Sequence, residues 1–499
     1  MASTRLTSIR PLLSLRASTL SSLLALLLGG AACGGGESTS GTGGTAGTGA
    51  SGGGGATTGG GGTGGFGGST GTGAGGQGGT PVTAACAAST LPTPSLDCAL
   101  PEVLCVDDTA GPTQEHSTIQ AAADAAGPGD TIVVHEGTYA GFEVDTSGTA
   151  DAPIVFFANG DVLIATPAST GDGIRLQNVS HVRVIGFRVE DPSERCIAAR
   201  GATPDEPMTD LWIVGNQCHR SITEGFYLSE VSDSHVELNV IADTGVLGDI
   251  RSHGIYLANA GSDGTTICGN VISGATADES NGIHMNGDLS IGGDGIISGV
   301  LVEANLIFGN QQNGFNLDGV QDSVFRNNVV WGNGRNALRG YAIDAAQGPK
   351  NLVVAGNTFL TPNGAGWPLK LTQDEGGHVV FDNILLTDDP DTGSIALADS
   401  PSFASASNIV VDRFTPDDES TIVSLAEWQS LGFDAGSFLG SGAALFVAPG
   451  SDFHLLPGCP AIDAGLASFE TVAAPATDLD GVARPQGAGF DVGAYEATP

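Results

Sequence analysis

The sequence predicts an all-β fold, a right-handed parallel β-helix, or solenoid, introduced by an N-terminal capping helix. Three observations carry the prediction: a strand–Asn–strand unit recurring seven times, a second repeat of the form Gly–apolar–variable–apolar, and a short amphipathic segment ahead of both. Self-similarity of this kind marks stacked units, none of which can bury its apolar face alone.

The first repeat is a short apolar strand, an Asn, a variable residue and an aliphatic. Its copies are centred on Asn216, Asn239, Asn270, Asn305, Asn328, Asn357 and Asn383, 23 to 35 residues apart. Val184–Val189 looks like an earlier copy with Gly186 in the Asn slot. Gly and Asn both tolerate the left-handed backbone, which a bend repeated once per coil requires. Stacked coils would align the Asn amides into a ladder. Ile213, Val236, Ile267, Val302, Phe325, Val354 and Val380 should pile in one inner column. Cys218, Ile241, Ile272, Ile307, Val330, Phe359 and Leu385 should pile in another, which makes Cys218 a buried core thiol.

In the second repeat, alternation sends the second and fourth residues inward and the third outward. Copies such as Gly225-Phe226-Tyr227-Leu228 and Gly282-Ile283-His284-Met285 put Arg175, Tyr227, Tyr256, His284, Asn316, Arg339 and Lys370 in one outward row. A weak rung near Ala198 falls between the first two. Asn286, Asp288, Asp318 and Asp344 lie on the loop side, and Glu224, His253, Asn281 and Asn313 just before the strands. His235 and His378 sit beside strand starts and read as structural.

Ahead of the repeats, His116–Gly127 reads as a capped amphipathic helix stopped by glycine, with Ile119, Ala122, Ala123 and Ala126 on one face. The stretch TIQAAADAAGPGDTIVVHEGTY, with the Asn coils after it, resembles the pectate-lyase-like right-handed β-helix proteins over about Val103 to Leu397. The tail, with SLAEWQSLGFDAGS, DFHLLPGCPAIDAG and TDLDGVARPQGAGFDVGAYE, is similar to a module that often follows bacterial β-helices. Asp478-Leu479-Asp480-Gly481 in it reads as a tight turn, because it lacks the remaining ligands of a calcium loop.

The N-terminus carries an address. Arg5, Arg10 and Arg16 precede the apolar run Leu20–Leu28, and small residues lead to Cys33. This reads as a secretory signal, too short to span a membrane. Cys33 resembles the acylated Cys of a lipobox, with Gly30 standing where an aliphatic is usual, so cleavage of an ordinary signal peptide near Ala32 stays open. The expected organisation is 1–33 lipoprotein signal peptide, 34–80 disordered Gly/Thr/Ser-rich linker, 81–130 Cys-containing lead-in and capping helix, 131–400 β-helix and 401–499 C-terminal module. A linker of about 47 residues would span on the order of 35–40 Å. Export permits disulfides, with one small loop expected among Cys86, Cys98 and Cys105 and at least one thiol left over. No Cys/His spacing suggests zinc.

Composition bounds the partners. A formal net charge of −38 argues against nucleic acid and anionic membrane surfaces. The expected contact with a membrane is the lipid anchor alone, on an outer-membrane lipoprotein facing the periplasm or the cell surface, and the expected state is a monomer. Aromatic and flat polar groups repeating along a groove suit an extended polysaccharide, and cations concentrated there suit carboxylated sugars. The resemblance implies β-elimination or C5-epimerisation, which need a base and a group that neutralises the carboxylate. The candidate catalytic residues are His284, Arg339, Lys370, Tyr256 and His253. The candidate substrate-binding residues are Arg175, Tyr227, Asn286, Asn316, Asp318 and Asp344. No cofactor is fixed: Ca2+ is the candidate cation, without assigned ligands, and Asp288 or Asp318 is the candidate holder of an unspecified metal. The alternative function is a non-catalytic glycan-binding or adhesive surface protein, so whether the chain is an enzyme stays open.

Overall fold

The computed structural model describes residues 86–109, 115–246, 252–398 and 400–498. The signal segment, Cys33 and the linker lie outside them. Among the described residues no helix is long and apolar enough to cross a membrane.

Strands stack coil upon coil in two main sheets, every pairing within them parallel. One sheet has 22 strands, two per coil on either side of a corner, and the other has 11. Pairing begins at Val103–Val106, ahead of the helix, and reaches Phe438–Leu439 in the C-terminal segment. The helix itself, Ile119–Ala125, starts at Thr118, whose side chain accepts the Ala121 N–H. Its buried Ile119, Ala122 and Ala123, with Ala126, join the solenoid core.

The two inner columns form as expected. Ile213 pairs in register with Val236, Val236 with Ile267, and so on to Val380. The second column runs likewise from Cys218 to Leu385. No member of either is more than 1% exposed. Burying each such side chain contributes roughly 1.5–3 kcal/mol, which is why the stack, not the single coil, is the stable unit. Cys218 is no thiol: it is bonded to Cys196. The other disulfides are Cys98–Cys105, the small loop expected, and Cys86–Cys268, while Cys459 is a buried free thiol.

The Asn ladder is continuous and one rung longer than the repeat suggested. From Asn216 to Asn383, each amide oxygen on the next coil accepts both the backbone N–H and the Nδ2–H of the Asn before it, at 2.8–3.2 Å. Asn408 adds the eighth rung. The left-handed residue, however, precedes the Asn. Gly215, Leu238, Gly269, Ala304, Asn327, Gly356, Asp382 and Ser407 have φ between 53° and 67°. Gly186 therefore occupies the bend, and the Asn slot of its coil holds Phe187, whose N–H is accepted by Asn216. Phe187 is buried within 5.8 Å of Phe142, so an aromatic core replaces the ladder there. Five of the eight bends are non-glycine, each costing about 1–2 kcal/mol in the left-handed region, offset by the ladder bonds.

Both described chain ends pack over this corner. Ala88 lies against Ile185 and Val214, its N–H bonded to the buried Glu237 carboxylate at 2.6 Å, and Cys86–Cys268 pins the segment. Farther along, Leu466 N–H donates to Asp382, Asn327 Nδ2 to the Thr477 carbonyl, and Ala494 N–H to Thr358 Oγ1. Asp478–Gly481 is the expected tight turn, closed by Gly481 N–H on the Asp478 carbonyl. The 11-stranded sheet keeps its outer face for the candidate row.

Candidate functional site

The outward row stands in register as predicted: Arg175, Ala198, Tyr227, Tyr256, His284, Asn316, Arg339 and Lys370. Rungs about 4.8 Å apart bring side chains far apart in sequence into contact. At the centre the rings of Tyr256 and His284 stack 4.9 Å apart, and His253 lies 5.2 Å from the first and 4.7 Å from the second.

Hydrogen bonds orient these rings. His284 Nδ1 lies 2.9 Å from the Asn316 carbonyl oxygen, which can only accept, and 3.1 Å from Asn316 Nδ2, which can only donate, so these contacts hold the ring without fixing its proton. His253 Nδ1 accepts the Asn281 N–H at 3.1 Å, which leaves the proton of the neutral ring on Nε2. Asn286 donates to the Tyr256 hydroxyl at 3.3 Å, and Asn316 to the Tyr341 hydroxyl at 2.7 Å. Burial pushes the Tyr256 phenol up to about 12, and Tyr341 is raised for the same reason. Both stay protonated near neutrality, which suits them to donating a proton and not to abstracting one.

A second ladder flanks the row. Asn313 donates its N–H and Nδ2–H to the Asn281 amide oxygen, and Asn336 does the same to Asn313, at 2.9–3.1 Å. Trp367 N–H closes it on Asn336. The same position on earlier coils holds His253, Glu224, Arg195 and Asp172, so the ladder changes from amides to titratable groups beside the central rings. Arg195 Nε approaches Glu224 at 2.8 Å, an ion pair off the hydrogen-bond axis.

The expected residues fall into two groups. Tyr256, His284, His253, Asn286, Asn316 and Asp344 converge at the centre, Asp344 lying 3.5 Å from Asn286. The remaining ones serve neighbours. Asp318 takes the N–H groups of Ile343, Asp344 and Ala345, and its carboxyl is raised by burial despite them. Asp288 caps the short turn Leu289–Ile291 through Ser290 N–H. Lys370 Nζ is held by Glu419 at 2.7 Å and Asp418 at 3.1 Å. Arg175 bonds Asp172 and Gln177. Arg339 lies over the Tyr341 ring, 4.6 Å from its centroid, and makes no ion pair among the described residues. His235, stacked on Trp212, and the buried His378 are structural as expected.

Sequence reasoning missed Arg195 and Arg200, whose guanidinium groups lie over Tyr227 at 4.9 and 4.6 Å from its ring centre. The signal was present: Arg195 holds the position of Glu224 and His253 one coil earlier, and Arg200 follows Ala198 by two residues, on the same face. Cys196 stands where the repeat has Gly, so that copy read only as a weak rung and its flanking arginines were passed over. Arg200 and Arg339 are five rungs apart, about 24 Å.

This chain is a right-handed parallel β-helix repeat protein with pectate-lyase-like architecture. Pectate lyase Pel9A superposes with a TM-score of 0.54 at 15% identity, covering 79% of this chain and 96% of that one. An alginate lyase from Paenibacillus sp. str. FPU-7 gives 0.37 at 19% identity, covering 58% and 91%. A mannuronan C-5 epimerase A-module from Azotobacter vinelandii gives 0.36 at 12%, covering 64% and 93%. Residues 210–412 match the family model described as periplasmic copper-binding protein (NosD). No curated protein matches the sequence. The matched stretch does not fit a copper centre: Cys218 and Cys268 are in disulfides, and no three His, Cys, Asp or Glu side chains converge among its described residues. No step is assigned to copper.

Proposed function

We propose that this exported protein binds an extended, uronate-containing polysaccharide along the 11-stranded sheet and transfers a proton beside a sugar carboxylate at the His253–Tyr256–His284 cluster. The carrying observation is that cluster, two histidine rings 4.7 Å apart with Tyr256 stacked on His284 at 4.9 Å. His284 Nε2 is the base, a protonated Tyr256 is the acid, and Arg200 and Arg339 attract the carboxylates of sugars on either side. A strand rung of about 4.8 Å approximates the repeat of a sugar chain, so polymer and row advance together. Three disulfides and the periplasmic family model fit an exported chain. Attachment through a lipidated Cys33 is part of the same reading.

A second reading, glycan binding without chemistry, is favoured by one observation: Lys370, the lysine of the row, is already neutralised by Asp418 and Glu419. Incubation with alginate, pectate and chondroitin separates the two. The enzyme gives unsaturated-uronate absorbance, or exchange of the C5 proton with solvent deuterium, that His284→Ala abolishes. Binding to a glycan with neither signal leaves the adhesin and ends the catalytic reading.

A further inference from the structure

We propose that Cys98, Cys105 and His135 form a redox-gated site for a thiophilic metal ion, closed as a disulfide and open as a dithiol. The ligand atoms of the three residues lie within 4.8 Å of one another, the one such group among the described residues, and they stand outside the stretch 210–412. Two sit on rigid strands. Cys105 pairs with Val133, two residues before His135 on the neighbouring strand, so both side chains leave the sheet on the same face. The third ligand lies outside the strands: Cys98 sits on a loop whose Leu96 and Leu100 are 44% and 37% exposed.

His135 is oriented for the task. Its Nε2 points at Cys98 Sγ, 3.8 Å away, while Nδ1 faces Asn159 Nδ2 at 3.4 Å. With Nε2 on a metal, Nδ1 carries the proton, and the Asn159 amide has to turn its oxygen toward the ring to serve as the outer partner such a histidine ordinarily has. The Tyr139 hydroxyl donates to the His135 carbonyl at 2.8 Å and fixes its backbone. Two thiolates and an imidazole suit Zn2+ or Cu+, with a position left for water.

The balance is simple. A dithiol reductant gives two electrons and two protons to the Cys98–Cys105 bond and itself becomes a disulfide. The metal then displaces both thiol protons, forming two metal–sulfur bonds. Attack at Cys98 makes this bond the first to open, because Cys98 is partly exposed while Cys105 and the four cysteines of the other disulfides are at most 3% exposed.

The test treats full-length protein with a mild dithiol until two thiols appear, maps them by alkylation, then titrates Zn2+ and, separately, Cu+ against a chromophoric chelator. The disulfide form should bind neither. The two-thiol form should bind one equivalent of at least one ion, and His135→Ala should weaken it by more than the roughly 10–100-fold lost with an outer partner. His135→Gln serves if the alanine variant does not fold. First opening of another disulfide, no uptake by the dithiol, or uptake indifferent to His135 would each overturn the proposal.

Discussion

Beside a short Asn310–Asn333 pair, the solenoid carries two longer Asn ladders, and they differ in what interrupts them. The corner ladder repeats one amide through eight rungs, all buried, with chain segments packed over its outer side. The groove ladder is amide for three rungs, Asn336, Asn313 and Asn281, and then becomes His253, Glu224, Arg195 and Asp172. Its hydrogen-bond direction is also reversed, later coils donating to earlier ones. Where a column has only to satisfy buried backbone groups, one residue suffices at every coil. A column that abandons that residue while keeping its register is doing something else, and here the change occurs beside Tyr256 and His284.

The sharpest way to break the comparison is to cut each ladder. Asn305→Leu at the corner removes the acceptor for two Asn270 bonds and the donor to the Ile267 carbonyl. With about 1–3 kcal/mol for each buried group left unpaired, we expect a loss of about 3–5 kcal/mol in denaturant unfolding. In the groove, His284→Ala should leave stability within about 1–2 kcal/mol while lowering product formation by roughly 10²–10⁴-fold, the usual worth of a general base. A variant that loses both together would make His284 another structural rung.

A pH titration tests the corner separately. Asp382 holds the left-handed bend beside Asn383, and burial pushes its carboxyl from 3.8 to about 7. Between those values the folded chain binds more protons than the unfolded one, so stability falls as pH rises. The contribution is complete below about 3.8 and lost above about 7. Asp382→Asn should therefore unfold at the same denaturant concentration as the parent near pH 4, and become more stable than it by on the order of 4 kcal/mol above pH 7. Equal shifts at both ends would show that Asp382 is not titrating there.

Much of this was legible in the sequence, because a solenoid converts periodicity directly into contact. The two inner columns, the register of the outward row and even the weak rung at Ala198 follow from period-two alternation once copies are aligned. Partners that come from outside the period were not legible. Glu419 and Asp418 reach Lys370 from 49 and 48 residues downstream, Cys86 crosses to Cys268, and Cys218 finds Cys196 on the preceding coil segment. The bend was misread by one position for a related reason. Gly precedes Asn in several copies, and the Gly186 copy shows the bend without the amide, so the two roles had to be separated by geometry.

The smallest expected effect discriminates best between the two readings of the groove. Lys370 and Arg339 occupy adjacent rungs of one row, both cationic, and sequence alone ranks them together. Their surroundings separate them: the Lys370 ammonium faces two carboxylates, while Arg339 lies on a Tyr341 ring with no ion pair among the described residues. Removing Lys370 leaves Asp418 and Glu419 behind, and a half-exposed pair of this kind is worth about 0–1 kcal/mol. Lys370→Ala should thus change glycan affinity less than about threefold, a shift well under 1.4 kcal/mol. Arg339→Ala should weaken it about tenfold or more and flatten the salt dependence, since an available cation is what a uronate meets. If Lys370→Ala proves the more damaging of the two in a binding isotherm, the sugar must displace Glu419, and the cations of the row are set by the ligand instead of by the fold.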